Sequence, residues 1–314
     1  MVTRGLYFDS ATIYYRAFFA VPDSVRNAQG QPSGAVRGFL DMVATVVAQF
    51  PSQHVIFAWD DDWRPQWRVD LVPTYKTHRL EVDSRLVGDE QEEVPDDLGP
   101  QISAIASILD AIGVPRLGEI GFEADDILGS LVAQHDLECD VVTGDRDLFQ
   151  LVSDSGATRV ISITKGIRNL QIVDDAYLIE KYGVAGHQYA DFATLRGDAS
   201  DGLPGVKGIG EKTASQLISS WGSLDAVLQA LADNDASIRR SVAQKLLDSA
   251  DMIEPARQVV RVRTDATVTT QLNQISGIAN PSELLALVDE WGVKRQVNQL
   301  LSALGLPDLD SVDL

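Results

Sequence analysis

The chain has almost no cysteine. Cys139 is the only one in 314 residues, which excludes an internal disulfide framework and fits a reducing, cytoplasmic setting. It directly precedes a run that reads as a core strand, so its expected role is that of a buried structural thiol. Long apolar runs are missing as well. The longest fall short of the roughly 20 residues that span a bilayer, and no charged-then-hydrophobic leader opens the sequence, so no membrane partner is expected. Histidine numbers four and clusters with no cysteine, which disfavours a zinc site.

Positive charge is also in short supply. There are 26 Lys and Arg against 46 Asp and Glu, a net charge of −20, whereas polyanion binders usually carry a basic face. The positions of the acids weaken that objection. Nine belong to a candidate site described below. Eight more, Glu81, Asp83, Asp89, Glu90, Glu92, Glu93, Asp96 and Asp97, fall in one stretch. With those 17 set aside, 29 acids face 26 basic residues, a balance of −3. A nucleic-acid partner therefore remains compatible with the composition.

What the chain does have is three apolar runs that end on aspartate: Leu6-Tyr7-Phe8-Asp9, Val55-Ile56-Phe57-Ala58-Trp59-Asp60 and Val141-Val142-Thr143-Gly144-Asp145. Short apolar runs bounded by turn residues read as buried parallel strands of an α/β sheet. Ligands bind outside the carboxyl ends of such strands, so the three acids are expected to converge there. Bare carboxylates so placed repel one another, and a divalent cation among them is the expected remedy. Residues 1–178 alternate strand-like and helix-like segments, with a fourth strand at Arg159–Thr164, a helix from Pro95 and another from near Glu123. Residues 179–314 shift to short helices, for which Ser223, Asp235 and Asn280 are expected N-caps.

Further acids extend the set. Glu123 and Asp126 are three apart on one helix face, with Asp125 beside them. Alone, such acids commonly complement a helix dipole. Asp145 and Asp147 form a D-x-D after Gly144, a spacing that aims two carboxylates at one ion, although an Asx-turn uses the same residues. Asp198 and Asp201 can share one turn. Together Asp9, Asp60, Glu123, Asp125, Asp126, Asp145, Asp147, Asp198 and Asp201 make an all-oxygen donor set suited to Mg²⁺ or Mn²⁺. Two such ions, about 3.5–4 Å apart, stabilise the attacking and leaving oxygens of a phosphoryl displacement.

Between Asp62 and Glu81 the charge reverses. Arg64, Arg68, Lys76, His78 and Arg79 alternate with Trp63, Trp67 and Tyr75, a mixture suited to single-stranded nucleic acid. Trp63 and Trp67 equally suit an i,i+4 core pair. The segment Leu203-Pro204-Gly205-Val206-Lys207-Gly208-Ile209-Gly210-Glu211-Lys212-Thr213 holds three glycines and two of the seven lysines. It reads as a hairpin whose outward N–H groups, at the start of a helix, cradle backbone phosphate without reading bases. It is not a P-loop, because G-x-x-x-x-G-K-[ST] is absent.

These segments, in this order, resemble the 5′-nuclease or flap endonuclease family, especially the 5′→3′ exonuclease domain of bacterial DNA polymerase I, here as a stand-alone protein. The resemblance covers about residues 5 to 265 and rests on Gly121–Leu128, Thr143–Val152 and Gly197–Lys212. It implies a PIN-like α/β domain at 1–178, with an arch at about 64–97, and a helical domain at 179–314. That helical domain would carry a helix-hairpin-helix-like (H3TH) element at about 203–217. It implies two or three divalent ions, one among Asp9, Asp60, Glu123, Asp125 and Asp126, and another among Asp145, Asp147, Asp198 and Asp201. By the same resemblance Lys76 and Arg79 contact the scissile phosphate, and Arg16 lies near the substrate. Arg64 and Arg68 belong to the arch. Gly205, Val206, Lys207, Gly208, Ile209, Gly210, Lys212 and Thr213 grip duplex, with K⁺ at the hairpin. Ser10 and Gly202 depart from the family's usual Gly and Asn without removing a ligand.

The implied activity is hydrolysis at a junction of duplex and 5′ single strand, a flap or an RNA-primer end, by a cytoplasmic monomer. The rival reading is a catalytically silent junction-binding protein of the same fold. An Asp-nucleophile phosphatase fits less well, since Ala11 stands where its second aspartate belongs. Gln299-Leu300-Leu301 reads as helix packing rather than a clamp-binding peptide.

Overall fold

The computed structural model describes residues 4–22, 24–80, 94–268 and 275–311. The acidic stretch from Glu81 to Glu93, the middle of the expected arch, lies outside them. Strand β1 (Gly5–Asp9) leads into helices α1 (Ser10–Ala20) and α2 (Gly34–Gln49), then β2 (Val55–Ala58), α3 (Gln66–Leu71) and α4 (Gly99–Ile112). Next come β3 (Arg116–Leu117), α5 (Ala124–Gln134), β4 (Cys139–Thr143), β5 (Thr158–Ser162) and β6 (Gln171–Val173). The sheet order is β3-β2-β1-β4-β5-β6, parallel except for β6. The order turns back on itself at β1, so the end of β1, where Asp9 stands, is the topological switch point at which such sheets bind ligands.

Alternation along the strands divides the core between two faces. Tyr7, Ile56, Val141 and Val160 pack on one, against Ile127, Leu128 and Leu131 of α5. Leu6, Phe8, Phe57 and Val142 pack on the other, against α2 and α4. Phe8 and Phe57 stack with centroids 4.8 Å apart across the β1–β2 register. Cys139 is buried in β4 as expected, and burial pushes its thiol up to about 11, so it stays protonated and inert.

After the sheet come α6 (Asp175–Tyr182), α7 (Tyr189–Arg196), α8 (Glu211–Trp221), α9 (Leu224–Ala232), α10 (Arg240–Asp248), α11 (Ala250–Val260), α12 (Pro281–Trp291) and α13 (Lys294–Ala303). The stretch from α7 to α11 extends the first core, while α12 and α13 bury Leu284, Val288, Leu300 and Leu301 in the second. Ser223 and Asn280 cap α9 and α12 as expected. Two expected starts move. Pro95–Leu98 forms a turn, closed by Leu98 N–H on the Pro95 carbonyl at 2.7 Å, and α4 begins only at Gly99. Asp235 closes a local turn by accepting from Ser237 N–H at 2.7 Å, and α10 begins five residues later. Among the described residues no helix is long and apolar enough to cross a membrane.

Candidate active site

At the carboxyl edge of the sheet lies a cavity of about 170 Å³ into which Asp9, Asp60, Glu123, Asp125, Asp145 and Asp201 project. Local bonding explains how such distant residues meet. Asp9 ends β1 and caps α1, its carboxylate accepting from Thr12 N–H at 3.2 Å and from the Thr12 hydroxyl. Thr143 at the end of β4 donates to Asp9 at 2.6 Å and accepts Asp145 N–H at 2.9 Å, tying the β4 turn to β1. Gly144 is needed here, because a Cβ would lie 2.5 Å from the Thr12 methyl. From β2, Asp60 accepts Ala124 N–H at 2.7 Å and Asp62 accepts Gly121 N–H at 3.0 Å, which fixes the start of α5 over the same edge.

The other three expected ligands stand elsewhere. Asp126 is fully buried, with its carboxylate taken by Arg68 at 2.7 Å, Arg263 N–H at 2.8 Å and Glu123 N–H at 3.1 Å. The last bond completes a capping box on α5, so Asp126 anchors the helix rather than facing the cavity. Asp147 and Asp198 lie beside the cavity on either side of Arg196, at 3.2 and 3.6 Å.

The electrostatics separate the acids. Burial raises Asp60 to about 7, against an opposing pull from Lys76. Burial, with Asp147 and Asp201 nearby, raises Asp145 to about 8. Burial raises Asp147 to about 6, with Arg196 opposing. Asp125 is pushed well above the usual range by burial and by the charges of Asp145, Asp9 and Glu123. Glu123 alone goes down: burial opposes its charge, but Lys76 and Arg68 outweigh that. Burial and mutual repulsion thus make the ionised form of most of the cluster unfavourable, and these carboxyls keep protons into the neutral range unless a cation joins them.

The basic segment reaches the cavity through Lys76 and Arg79, with Tyr15 and Trp63 beside them. Arg79 holds Asp201 at 2.7 Å. Lys76 pairs with Glu123 and donates to the Trp63 carbonyl at 3.2 Å. This segment also seats on the Asp198–Gly202 turn, through Lys76 N–H to the Asp201 carbonyl at 3.0 Å and Thr74 hydroxyl to the Gly202 carbonyl at 2.9 Å. Gly202 has φ +71°, and a Cβ on it would lie 2.2 Å from the Thr74 carbonyl. Arg64 and Arg68 are not the strand-facing cations that the sequence suggests. Both are buried, Arg64 donating to the Tyr75 carbonyl at 2.7 Å and Arg68 pairing with Glu123 at 3.0 Å. Trp67 is not a core residue either; its indole donates to the Gly121 carbonyl at 3.1 Å under the Arg68 and Arg263 guanidiniums. Arg16 is half-buried on α1, donating to the Thr164 carbonyl at 3.2 Å.

The glycine segment joins α7 to α8. Val206 and Ile209 plug into the core while Lys207, Gly208, Gly210 and Lys212 are exposed, and Thr213 is half-buried. Gly205 has φ +60°, and a Cβ there would lie 2.5 Å from Gly197 N. Lys245 of α10 donates to the Gly208 carbonyl at 2.8 Å, adding a cation that the sequence reading missed. It also missed Arg196, although an Arg two residues before Asp198 is a visible cue; Tyr75, read there as a stacking ring, is buried and donates its hydroxyl to Glu123 at 2.9 Å.

Among the described residues no three of these acids are already drawn close enough to cage an ion. Their chemistry nevertheless fits a hard divalent cation: oxygen donors only, converging on one cavity, whose joint ionisation is unfavourable until a cation offsets it.

Comparison with known proteins agrees with this arrangement. A family model described as 5′-3′ exonuclease, N-terminal resolvase-like domain, matches residues 5–183, and one described as 5′-3′ exonuclease, C-terminal SAM fold, matches residues 184–282. A 5′-3′ exonuclease of Streptomyces coelicolor is 44% identical over 297 residues, covering 94% of this chain and 98% of its own. A DNA polymerase I of Mycobacterium bovis is 37% identical over 242 residues, 76% of this chain but 25% of that protein. Among solved structures, the T5 D15 protein co-crystallized with metal ions aligns with a TM-score of 0.59 at 16% identity, covering 95% of this chain and 98% of that one. The catalytic core of Rad2 in complex with DNA substrate aligns at 0.60 and 19%, covering 96% and 92%. The fold is thus a PIN-like, resolvase-type α/β domain followed by a helical SAM-like domain.

Proposed function

The chain belongs to the 5′–3′ exonuclease family and is a 5′ nuclease; we propose that it cuts DNA, or RNA paired to DNA, near the junction of duplex and 5′ single strand. Flaps and primer ends are its substrates. The observation that carries this reading is the single cavity holding six acids beside Lys76 and Arg79. Mg²⁺ or Mn²⁺ bound there, as two or three ions, supplies a more acidic water and a counter-charge for the reacting phosphate.

The chain's own residues do the rest. Asp9, Asp60, Glu123, Asp125, Asp145 and Asp201 would hold the ions, with Asp147 and Asp198 beside them. Lys76 and Arg79 place positive charge where the attacked phosphate gains negative charge. Water attacks phosphorus, the bond to the 3′ oxygen breaks, and the product keeps a 5′-phosphate. The α7–α8 hairpin grips duplex backbone through exposed N–H groups and Lys207 and Lys212, with K⁺ as its companion ion. Arg16 lies on the substrate side. The protein acts as a monomer, with residues 1–178 catalytic and the helical part of 179–314 gripping duplex through the α7–α8 hairpin, while its last helices α12 and α13 pack back on the second core. A silent junction binder has no use for buried, mutually repelling acids, which only destabilise it.

The test is a 5′-flap duplex labelled on the flap strand, incubated with Mg²⁺, Mn²⁺ or EDTA. Metal-dependent release of the flap, leaving a 5′-phosphate on the downstream strand, is expected. Folded, DNA-binding protein that leaves the substrate intact with either ion would overturn the proposal.

A further inference from the structure

Three donors converge on the carboxylate of Glu123, and all come from the segment between Arg64 and Leu80. Arg68 pairs with Oε1 at 3.0 Å, the Tyr75 hydroxyl donates at 2.9 and 3.1 Å, and the Lys76 ammonium takes Oε2. These donors differ in their freedom. Arg68 is 2% exposed and tied to Asp126 as well. Tyr75 is sealed in the core. Lys76 ends on a four-carbon stem and lines the cavity. Its backbone, by contrast, is clamped: φ is +48°, unusual for a residue with a side chain, and its N–H is held by the Asp201 carbonyl. The ammonium can swing while its root stays fixed.

We propose that Lys76 serves as an internal counter-ion that trades places with a divalent cation at Glu123. Without the cation, Lys76 neutralises Glu123 and rests against the Trp63 carbonyl and the Tyr75 ring, 5.2 Å from its centroid. When a cation takes the free side of Glu123, the ammonium is repelled and turns into the cavity, where the phosphate to be cut arrives. Ion loading and delivery of the phosphate-binding cation are then one event. Arg68 and Tyr75 keep Glu123 in place throughout. The proposal rests on the cavity being an ion site, as argued above.

The coupling is reciprocal, so removing the ammonium must tighten ion binding. Mn²⁺ binding to DNA-free protein is measured by calorimetry for the unmodified chain, Lys76→Met, Glu123→Gln and the double variant, each checked for folding by circular dichroism. Lys76→Met is expected to bind at least about fivefold more tightly, within the usual range of such couplings. That gain should largely vanish in the Glu123→Gln background. Equal or weaker binding by Lys76→Met, or an equal gain with and without Glu123, overturns the exchange. Absence of any Mn²⁺ binding overturns the ion-site reading itself, so the two failures are distinguishable.

A second measurement needs no substitution. Acetylation of Lys76, read by mass spectrometry against exposed Lys294, should rise several-fold when Mn²⁺ is added. An unchanged ratio counts against the exchange even if Lys76→Met does not fold.

Discussion

In the acidic cavity, carboxyl groups from five separated stretches of chain are held together by capping bonds and by Thr143, although burial and mutual repulsion disfavour their ionisation. In the glycine hairpin, one contiguous stretch buries Val206 and Ile209 and leaves Lys207 and Lys212 in water. The first region holds groups that burial and mutual repulsion disfavour, and it depends on the rest of the fold to keep them there. The second gains from burial and offers its charges at little electrostatic cost. On the proposed function, the difference separates a reacting site, which must be held under tension, from a gripping site, which needs only shape and exposed donors.

The contrast breaks most sharply in catalysis. Asp125→Asn with Asp147→Asn should lower flap cleavage by on the order of 10³-fold or more, as removal of strong electrostatic groups does. Duplex binding in Ca²⁺, measured by fluorescence anisotropy, should stay largely intact. Retained cleavage would mean that the cavity is not the reacting site.

A smaller effect is expected at the hairpin. Lys207→Ala with Lys212→Ala should weaken duplex binding and flatten the plot of log affinity against log salt by about two units, roughly one for each lost phosphate contact. An unchanged slope would reduce the hairpin to a plain turn.

The mildest effect concerns stability. Asp60 and Asp145 titrate near 7 and 8 in the folded chain, above the ordinary aspartate value of about 3.9. The folded protein thus keeps protons that the unfolded chain has already released. Stability from this source is complete in acid and is lost as pH climbs from about 4 through about 8. The Tm of ion-free protein should therefore fall by several degrees between pH 6 and pH 8, as about 1 kcal/mol moves Tm by roughly 2–4 °C in chains of this size. Mg²⁺ should restore more of it at pH 8 than at pH 6. A Tm flat across this range, with and without Mg²⁺, would mean that the cavity's charges are already balanced.

Much of this was legible before folding. Apolar runs ending at Asp9, Asp60 and Asp145 announced parallel strands and the edge where they meet. Glu123 announced the start of α5, and the glycine spacing announced the hairpin. Misreadings arose where one residue type serves two roles. Arg64 and Arg68 look like strand-tracking cations but are buried partners of α5 and its neighbours. Asp126 looks like one more ligand but closes a capping box. Pro95 and Asp235 carry helix-start chemistry yet form turns, because local propensity is weak and tertiary packing decides where a helix begins.

The order of elements, the supply of carboxylates without clustered histidine or cysteine, and the glycine-rich turn before α8 were all settled by the chain's covalent order, since they depend on residue type and short spacing. Which carboxylates face the cavity, and which cation each one meets, was decided only in three dimensions. A charge acquires its role from burial and from neighbours tens or hundreds of residues away, as Lys76 does from Glu123 and Asp147 from Arg196.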